Sequence, residues 1–256
     1  YLTNQIVVII HNIFYKIEIA LKIMLQKEKK RSEFTEIFEQ FLETYPEFPE
    51  ISEIARRNSY DMGRQGRIWI IGGFVYRPII KVIHGDIQEP PQIDVDLLIE
   101  RGTASEEVYA PKGWEVKRTQ SGFLYLEKGK IRIDPNYLYS FHSIGSVARA
   151  IGSPPQFRYF FKATPMDIQS IAYDLTNKEI GVIGKYGIEA IKNKRVRINN
   201  LEEAGFESQK RGMTLEDFVK EKAEELGFGY DLTPIYSPPA PKENHSEDGQ
   251  QMPVKE

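Results

Sequence analysis

The sequence contains no cysteine, which excludes disulfide bridges and thiolate metal sites and is consistent with a reducing compartment such as the cytoplasm. Histidine is also scarce, and its four positions show no metal-ligand spacing: His11, His84, His142 and His245. No serine–histidine–aspartate pattern or nucleophile elbow occurs. The formal net charge is only −3, which argues against a general non-specific grip on nucleic acid.

A long uninterrupted apolar run is missing as well. Residues 1–25 are the most apolar stretch, but Asn12, Lys16, Glu18 and Lys22 interrupt it too often for a membrane span of about 20 apolar residues. The stretch also lacks the basic start of a secretory signal. We therefore expect a buried or partner-facing element and no membrane partner. The chain does not begin with methionine, which is typical of a fragment or a processed chain.

Four segments of the chain differ in pattern. Residues 1–64 predict a helical N-terminal extension, residues 65–200 an α/β core, and residues 201–232 a helical C-terminal segment. Residues 233–256 are rich in proline and polar residues and predict a disordered tail. The fold class expected from this order is α/β (α+β), with a mixed or mostly antiparallel sheet and helices on one side.

Helix and strand signals support this division. The run SEFTEIFEQFLETY predicts an amphipathic helix, because its apolar residues recur at spacings of three and four. The run TLEDFVKEKAEELGFG predicts another, with Thr214 as its N-cap and Gly227 as its stop. Short strand-like runs follow from Arg67 onward, among them RIWII, IDVDLLIE, WEVKR, FLYLEK and KIRID.

Two adjacent glycines, Gly72 and Gly73, separate the run RIWII from the helical run FVYRPIIKVIH. They allow a tight turn and a close approach of backbone to a ligand. The helix that follows directs its free amides at that turn, which is typical of a phosphate site. The alternative is a glycine turn that only packs a helix on a sheet. A third glycine is missing, so the turn is no dinucleotide-binding fingerprint.

Two carboxylates, Asp94 and Asp96, lie on the next predicted strand, where side chains two residues apart share a face. Adjacent carboxylates repel one another unless a cation lies between them, and Mg²⁺ favours such an oxygen site. The alternative is a solvent-facing strand edge.

A third acid, Asp134, ends the run KIRID and shares a face with Arg132. If this strand lies beside IDVDLLIE, Asp134 joins the pair, and three carboxylates around two metal ions suit in-line attack on a phosphate. The alternative is that Asp134 opens a turn before Pro135.

The order of these motifs resembles the nucleotidyltransferase superfamily over residues 65–200. IGGFVYR resembles the Gly-Gly-x-Val-Arg-Asp signature of the head domain of poly(A) polymerases and CCA-adding enzymes. IDVDLLIE resembles their metal-binding Asp-x-Asp, and the stretch from DIQSIAYD to RVRI resembles the end of their core. The resemblance implies a polymerase-beta-like fold.

The resemblance also implies an activity, which is transfer of a nucleoside monophosphate from a nucleoside triphosphate to a hydroxyl acceptor with release of pyrophosphate. Asp94, Asp96 and Asp134 would hold two Mg²⁺ or Mn²⁺ ions, and Asp134 would also take the proton of the attacking hydroxyl. The phosphates would be bound at Gly72 and Gly73 and by Arg77, a basic residue displaced by one position from the arginine of the family signature. An RNA end, a protein hydroxyl and a small molecule all remain open as acceptors.

Three departures from the family pattern stand beside the resemblance. Tyr76 and Arg77 replace its Arg-Asp, and Ala163, Thr164 and Pro165 replace a nucleotide-contacting Arg-Arg-Asp. The long helical RNA-binding body is also missing, so CCA addition or polyadenylation is not expected. Two other hypotheses stay open, namely a catalytically degenerate nucleotide- or partner-binding module and a glycosyltransferase that uses Asp-x-Asp.

Overall fold

The computed structural model describes residues 32–61, 63–85, 87–100 and 107–237. The predictions for the apolar stretch at the start of the chain and for the end of the polar tail lie outside these residues. Within the described ranges, no helix is both long enough and apolar enough to cross a membrane.

The helices of the described ranges are α1 (Glu33–Thr44), α2 (Phe48–Asn58), α3 (Gly73–His84), α4 (His142–Ile151), α5 (Phe160–Ala163), α6 (Lys185–Asn193), α7 (Leu201–Lys210) and α8 (Leu215–Leu226). The strands are β1 (Tyr60–Asp61), β2 (Arg64–Gln65), β3 (Ile68–Ile71), β4 (Ile93–Ile99), β5 (Glu115–Arg118), β6 (Leu124–Lys128), β7 (Ile131–Tyr137), β8 (Ala172–Asp174), β9 (Val182–Ile183), β10 (Arg195–Arg197) and β11 (Gly229–Asp231).

Seven of the described strands form one sheet in the order β5-β6-β7-β4-β3-β8-β9. β4 and β7 run parallel, and every other neighbouring pair is antiparallel. The predicted mixed sheet of an α/β fold is therefore confirmed. Two small pairs lie outside this sheet, β1 with β2 and β10 with β11.

The main helical layer lies on one face of the sheet. In β3, Ile68 and Ile70 point into the same hydrophobic cluster as α1, α2 and α3. Phe38 of α1 is fully buried there, with its ring centroid 5.0 Å from that of Tyr173 and 6.3 Å from that of Phe74. The predicted amphipathic helix is thus confirmed, and Ser32 caps it by accepting a hydrogen bond from the Thr35 amide.

A smaller cluster covers part of the opposite face. It contains Trp69, Ile71 and Leu98 from the sheet, with α4 and α5 packed on them. Trp69 stacks on Phe157 at a centroid distance of 3.8 Å. The helix α4 was not predicted from the sequence.

The C-terminal segment packs on the core. β11 pairs in parallel with β10, and α8 runs from its predicted N-cap Thr214 to its predicted stop Gly227. Beyond β11 the Tyr236 amide donates to the Asn199 carbonyl oxygen at 2.7 Å. The packed chain therefore continues past residue 232, where the tail was predicted to begin.

Candidate active site

The helix α3 begins directly after β3, at the two glycines. Gly72 has φ 68° and ψ −137°, a conformation that is essentially restricted to glycine. Its carbonyl oxygen accepts from the amides of Val75 and Tyr76, at 3.0 and 3.2 Å. The amides of Gly73 and Phe74, at the first turn, have no acceptor within the helix. The turn therefore leaves first-turn amides of the helix without an intrahelical acceptor.

Asp96 lies beside this helix start. The last residue of β3, Ile71, is paired with Asp96 of β4. A Cβ atom added at Gly72 would lie 3.7 Å from Asp96 Oδ2, so the glycine backbone runs close past the carboxylate. Strand alternation places Asp94 on the same face, while Val95 and Leu97 point into the main cluster. Both acids therefore project from the face opposite the main helical layer.

Asp134 stands directly across from Asp96. In the parallel pair of β4 and β7, Asp96 is matched with Asp134 and Asp94 with Arg132. Neighbouring strands lie about 4.8 Å apart. β7 continues to Tyr137, so the hypothesis that Asp134 opens a turn is wrong. Pro135 is accommodated inside the strand because the pairing of β6 with β7 ends at Ile133.

Burial and mutual repulsion disturb the ionisation of these acids. Burial raises the pKa of Asp96 to about 7, and the charges of Asp134 and Asp94 act in the same direction. Burial also raises the pKa of Asp94, although the nearby Arg132 guanidinium opposes the change. A cation would relieve both effects, so the donor set fits a divalent metal ion.

Arg132 holds the third acid. Its Nε donates to Asp134 Oδ2 at 2.7 Å and its Nη2 donates to Asp134 Oδ1 at 2.8 Å. Among the described residues, no three acidic, histidine or cysteine side chains are already arranged around a possible metal ion. From the sequence, Arg132 was predicted to share a face with Asp134, but no role was predicted for it. The strand alternation in KIRID was the available signal.

A cavity of about 880 Å³ opens in front of the two acids of β4. Its wall contains Gly73, Asp94, Asp96 and Arg77. Arg77 Nη1 donates to the Gln88 carbonyl oxygen at 3.1 Å, and its guanidinium lies over the side chain of Tyr76. Arg77 therefore lies in the same cavity wall as Asp94 and Asp96.

The C-terminal segment contributes two further cations to this wall, Arg211 and Lys222. Lys222 forms an ion pair with Glu225, and the other carboxylate oxygen of Glu225 pairs with Arg77. Neither cation was predicted from the sequence. No local signal in the sequence marks them, because they reach the site only through the packing of α7 and α8.

No protein-family model matches the chain, and no curated protein matches it. Among solved structures, it is similar to a CCA-adding enzyme in complex with CTP, with a TM-score of 0.45 and 13% identity over 76% of this chain and 46% of the other. It is also similar to the Thermotoga maritima CCA-adding enzyme complexed with tRNA, with a TM-score of 0.41 and 14% identity over 73% and 46%. The chain therefore spans about half the length of these structures.

The fold is α/β, with a mixed seven-stranded sheet and helices packed on it. The order of the motifs, the strand register and the helix start beside Asp96 are those expected from the resemblance to head domains. A similarity of this size to solved structures carries no information on substrate or acceptor.

One departure from the nucleotidyltransferase pattern has a structural explanation. Ala163 and Thr164 are buried, and Asn199 Nδ2 donates to Thr164 Oγ1 at 2.8 Å. None of the described residues that line the cavity belongs to the segment Ala163–Thr164–Pro165. The nearby Gln169, in contrast, does line the cavity. This segment therefore packs the interior where the family carries charged nucleotide contacts.

Proposed function

We propose that the protein is a metal-dependent nucleotidyltransferase. It moves a nucleoside monophosphate from a nucleoside triphosphate to a hydroxyl acceptor and releases pyrophosphate. The observation that carries this proposal is the placement of Asp96 between the Gly72 turn and Asp134. In-line phosphoryl chemistry needs a phosphate-binding site beside carboxylates that can hold metal ions, and here three carboxylates share one face of the sheet.

In this proposal, Asp94 and Asp96 would hold Mg²⁺ or Mn²⁺, which supplies charge neutralisation on the phosphate oxygens when bound. The first-turn amides of Gly73 and Phe74 bind phosphate oxygens at the positive end of α3. Asp134 accepts the proton of the attacking hydroxyl, and its two hydrogen bonds from Arg132 fix its orientation. No covalent intermediate is required, because positioning and charge stabilisation carry the chemistry.

The segmental organisation is part of the proposal. Residues 65–200 would form the catalytic core, with residues 1–64 as a helical extension and residues 201–232 as a helical segment that completes the cavity. The acceptor would be an RNA end, a protein hydroxyl or a small molecule, and the protein would act in the cytoplasm.

A second candidate is a nucleotide-binding module that has lost catalysis. The observation that favours it is the bidentate contact between Arg132 and Asp134, which engages both oxygens of the would-be base. The inward packing of Thr164 in place of a charged nucleotide contact points the same way. A glycosyltransferase with an Asp-x-Asp strand would not require Asp134 opposite Asp96.

The test is a transfer assay with each labelled nucleoside triphosphate, Mg²⁺ and pools of RNA, protein and small-molecule acceptors. We expect pyrophosphate release that depends on divalent metal. Asp94→Asn should abolish it, and Asp134→Asn should slow it by roughly 10²–10⁴-fold, because asparagine cannot accept the proton. The exposed Glu179→Gln is the matched control and should retain full activity.

Binding separates the hypotheses. Asp134→Asn should still bind a non-hydrolysable triphosphate with Mg²⁺ about as tightly as the unmodified protein does, since Asp94 and Asp96 remain. Triphosphate binding by the unmodified protein without pyrophosphate release from any pool would identify the degenerate module. Metal-dependent transfer from a sugar nucleotide would identify the glycosyltransferase.

A further inference from the structure

Three cations from distant parts of the chain meet in one wall of the cavity. Arg77 comes from α3, Arg211 follows α7, and Lys222 lies on α8. Lys222 keeps 20% of its side-chain surface exposed and Arg77 keeps 17%, so both are largely removed from water. Burying cations in this way is costly unless anionic groups compensate for them.

The compensation inside the protein is incomplete. One carboxylate, Glu225, pairs with Arg77 through one oxygen and with Lys222 through the other. Burial, together with the charges of Arg77 and Arg211, lowers the pKa of Lys222 to about 8, and the charge of Glu221 opposes this change. Neither glutamate is among the described residues that line the cavity. The described residues that line the cavity include five cations, Arg77, Lys81, Lys130, Arg211 and Lys222, against three carboxylates, Glu89, Asp94 and Asp96, so the lining carries an excess of positive charge.

The cluster is continuous with the helix start of the candidate site. Arg77 Nε lies 3.8 Å from the position of a Cβ atom added at Gly73, so the guanidinium covers the first turn of α3. Asp94 and Asp96 line the same cavity. A polyphosphate that begins at these acids and passes the first-turn amides would next meet Arg77 and then the cations of the C-terminal segment.

We propose that Arg77, Arg211 and Lys222 form a polyphosphate subsite, and that Glu225 is its internal counterion, which the ligand displaces. The identity of the ligand as the triphosphate of a nucleotide rests on the proposed function. The subsite assigns a role to the C-terminal segment, since two of the three cations come from it. It also sets a competition, because Glu225 and the ligand cannot both hold the same N–H donors of Arg77 and Lys222.

The experiment measures binding of inorganic tripolyphosphate to the full chain by calorimetry, at low ionic strength and without divalent metal. Lys222→Met should weaken binding about tenfold or more, because it removes one charge-assisted contact. Glu225→Gln should tighten binding by about three- to tenfold, because it removes the competing charge.

The chain offers matched controls on the same helix. Lys220 and Glu224 form an exposed pair at 3.8 Å on α8. Lys220→Met and Glu224→Gln change the same charges in the same helix, and neither should alter the affinity more than about twofold. If Lys222→Met fails to fold, Arg211→Met is used in its place. Arg211 is exposed, and this substitution should also weaken binding.

Three results would overturn the subsite. The first is that the unmodified protein does not bind tripolyphosphate. The second is that Lys222→Met and Lys220→Met lose the same affinity for it, and the third is that Glu225→Gln binds it more weakly than the unmodified protein does. The last result would show that Glu225 only docks α8 on α3. If tripolyphosphate binds in the expected pattern but no nucleotidyl transfer occurs, the subsite is supported and the proposed reaction is rejected. If transfer occurs without tripolyphosphate binding, the reaction is supported and the subsite is rejected.

Discussion

At the scale of single residues, Asp96 shows a conflict between stability and the proposed chemistry. Its carboxylate is partly buried, stands opposite Asp134 and shares a face with Asp94. These neighbours and burial hold the pKa of Asp96 at about 7. An acid kept in this environment without a cation destabilises the folded protein, and a divalent ion would reverse the effect.

The first prediction concerns the pH dependence of stability without metal. An unfolded aspartate has a pKa of about 4, so between about pH 4 and pH 7 the folded protein holds a proton on Asp96 that the unfolded chain has lost. The contribution of protonated Asp96 to the free energy of unfolding is therefore fully present below about pH 4. This contribution is lost as the pH rises to about 7. Asp96→Asn should remove this loss and stabilise the protein at pH 8 by up to about 4 kcal/mol, since a shift of about three pKa units is worth about 1.4 kcal/mol per unit.

Urea unfolding in a chelator at pH 5 and pH 8 tests this prediction. The difference in midpoint between Asp96→Asn and the unmodified protein should be larger at pH 8, and added Mg²⁺ should stabilise only the unmodified protein. The exposed Glu179→Gln serves as the control. An identical pH dependence in both proteins would argue against a buried, destabilising carboxylate.

At the scale of elements, the turn between β3 and α3 joins the backbone to the site. Gly72 has a positive φ of 68° and passes beside Asp96. An alanine there would meet Asp96 Oδ2 only at 3.7 Å, an ordinary contact, so the cost comes from the backbone conformation rather than from space. This turn sets both the direction of α3 and the position of its first amides.

The second prediction is that Gly72→Ala destabilises the protein by about 1–3 kcal/mol, the usual cost of a glycine-only conformation. It should also weaken binding of a triphosphate, because the first-turn amides move. Gly205 is the matched control: it lies inside α7 with open space around its Cβ position. Gly205→Ala should stabilise the protein by roughly 0.5–1 kcal/mol, since alanine is favoured over glycine inside a helix.

Thermal unfolding and triphosphate titration of the two variants measure these effects. If Gly72→Ala is as stable as Gly205→Ala and binds normally, the turn tolerates a side chain and does not position the amides.

At the scale of the whole molecule, the helices before and after the core close around the same sheet. α1 and α2 share the main hydrophobic cluster with β3, β4 and β7. α8 buries Phe218 and Val219 in that cluster and contributes Lys222 to the cavity. The described part of the predicted extension, from residue 32 onward, and the C-terminal segment therefore belong to the packing of the core.

The third prediction is that Phe38→Ala destabilises the whole protein by about 3–5 kcal/mol, the usual cost of truncating a buried phenylalanine. Tryptophan fluorescence, which reports on the buried Trp69 and Trp114, should show one transition that coincides with far-ultraviolet circular dichroism. Phe123→Ala is the control, because Phe123 is 60% exposed and its truncation should cost little. An unchanged fluorescence transition in Phe38→Ala would indicate that α1 and α2 unfold separately from the sheet.

Local patterns in the sequence predicted most of the helices and strands of the core, although not α4, and the faces on which the candidate acids lie. Alternation along β4 placed Asp94 and Asp96 on one side, and two glycines between an apolar strand and a helix marked the turn, because these are properties of neighbouring residues. The order of the motifs identified the fold class. Periodicity, caps and turns are local, so they can be read before the chain is folded.

The tertiary structure decided which distant residues meet. The register of β4 with β7 placed Asp134 opposite Asp96, and the same register brought Arg132 beside Asp94. Packing of α8 carried Lys222 into the cavity wall, where no local pattern predicts it. Strand register and helix docking depend on burial summed over the whole core, and a shift of one residue would turn every side chain of a strand to the other face. The candidate acids were therefore visible in the sequence, whereas their partners Arg132, Arg211 and Lys222 became identifiable only in the folded chain.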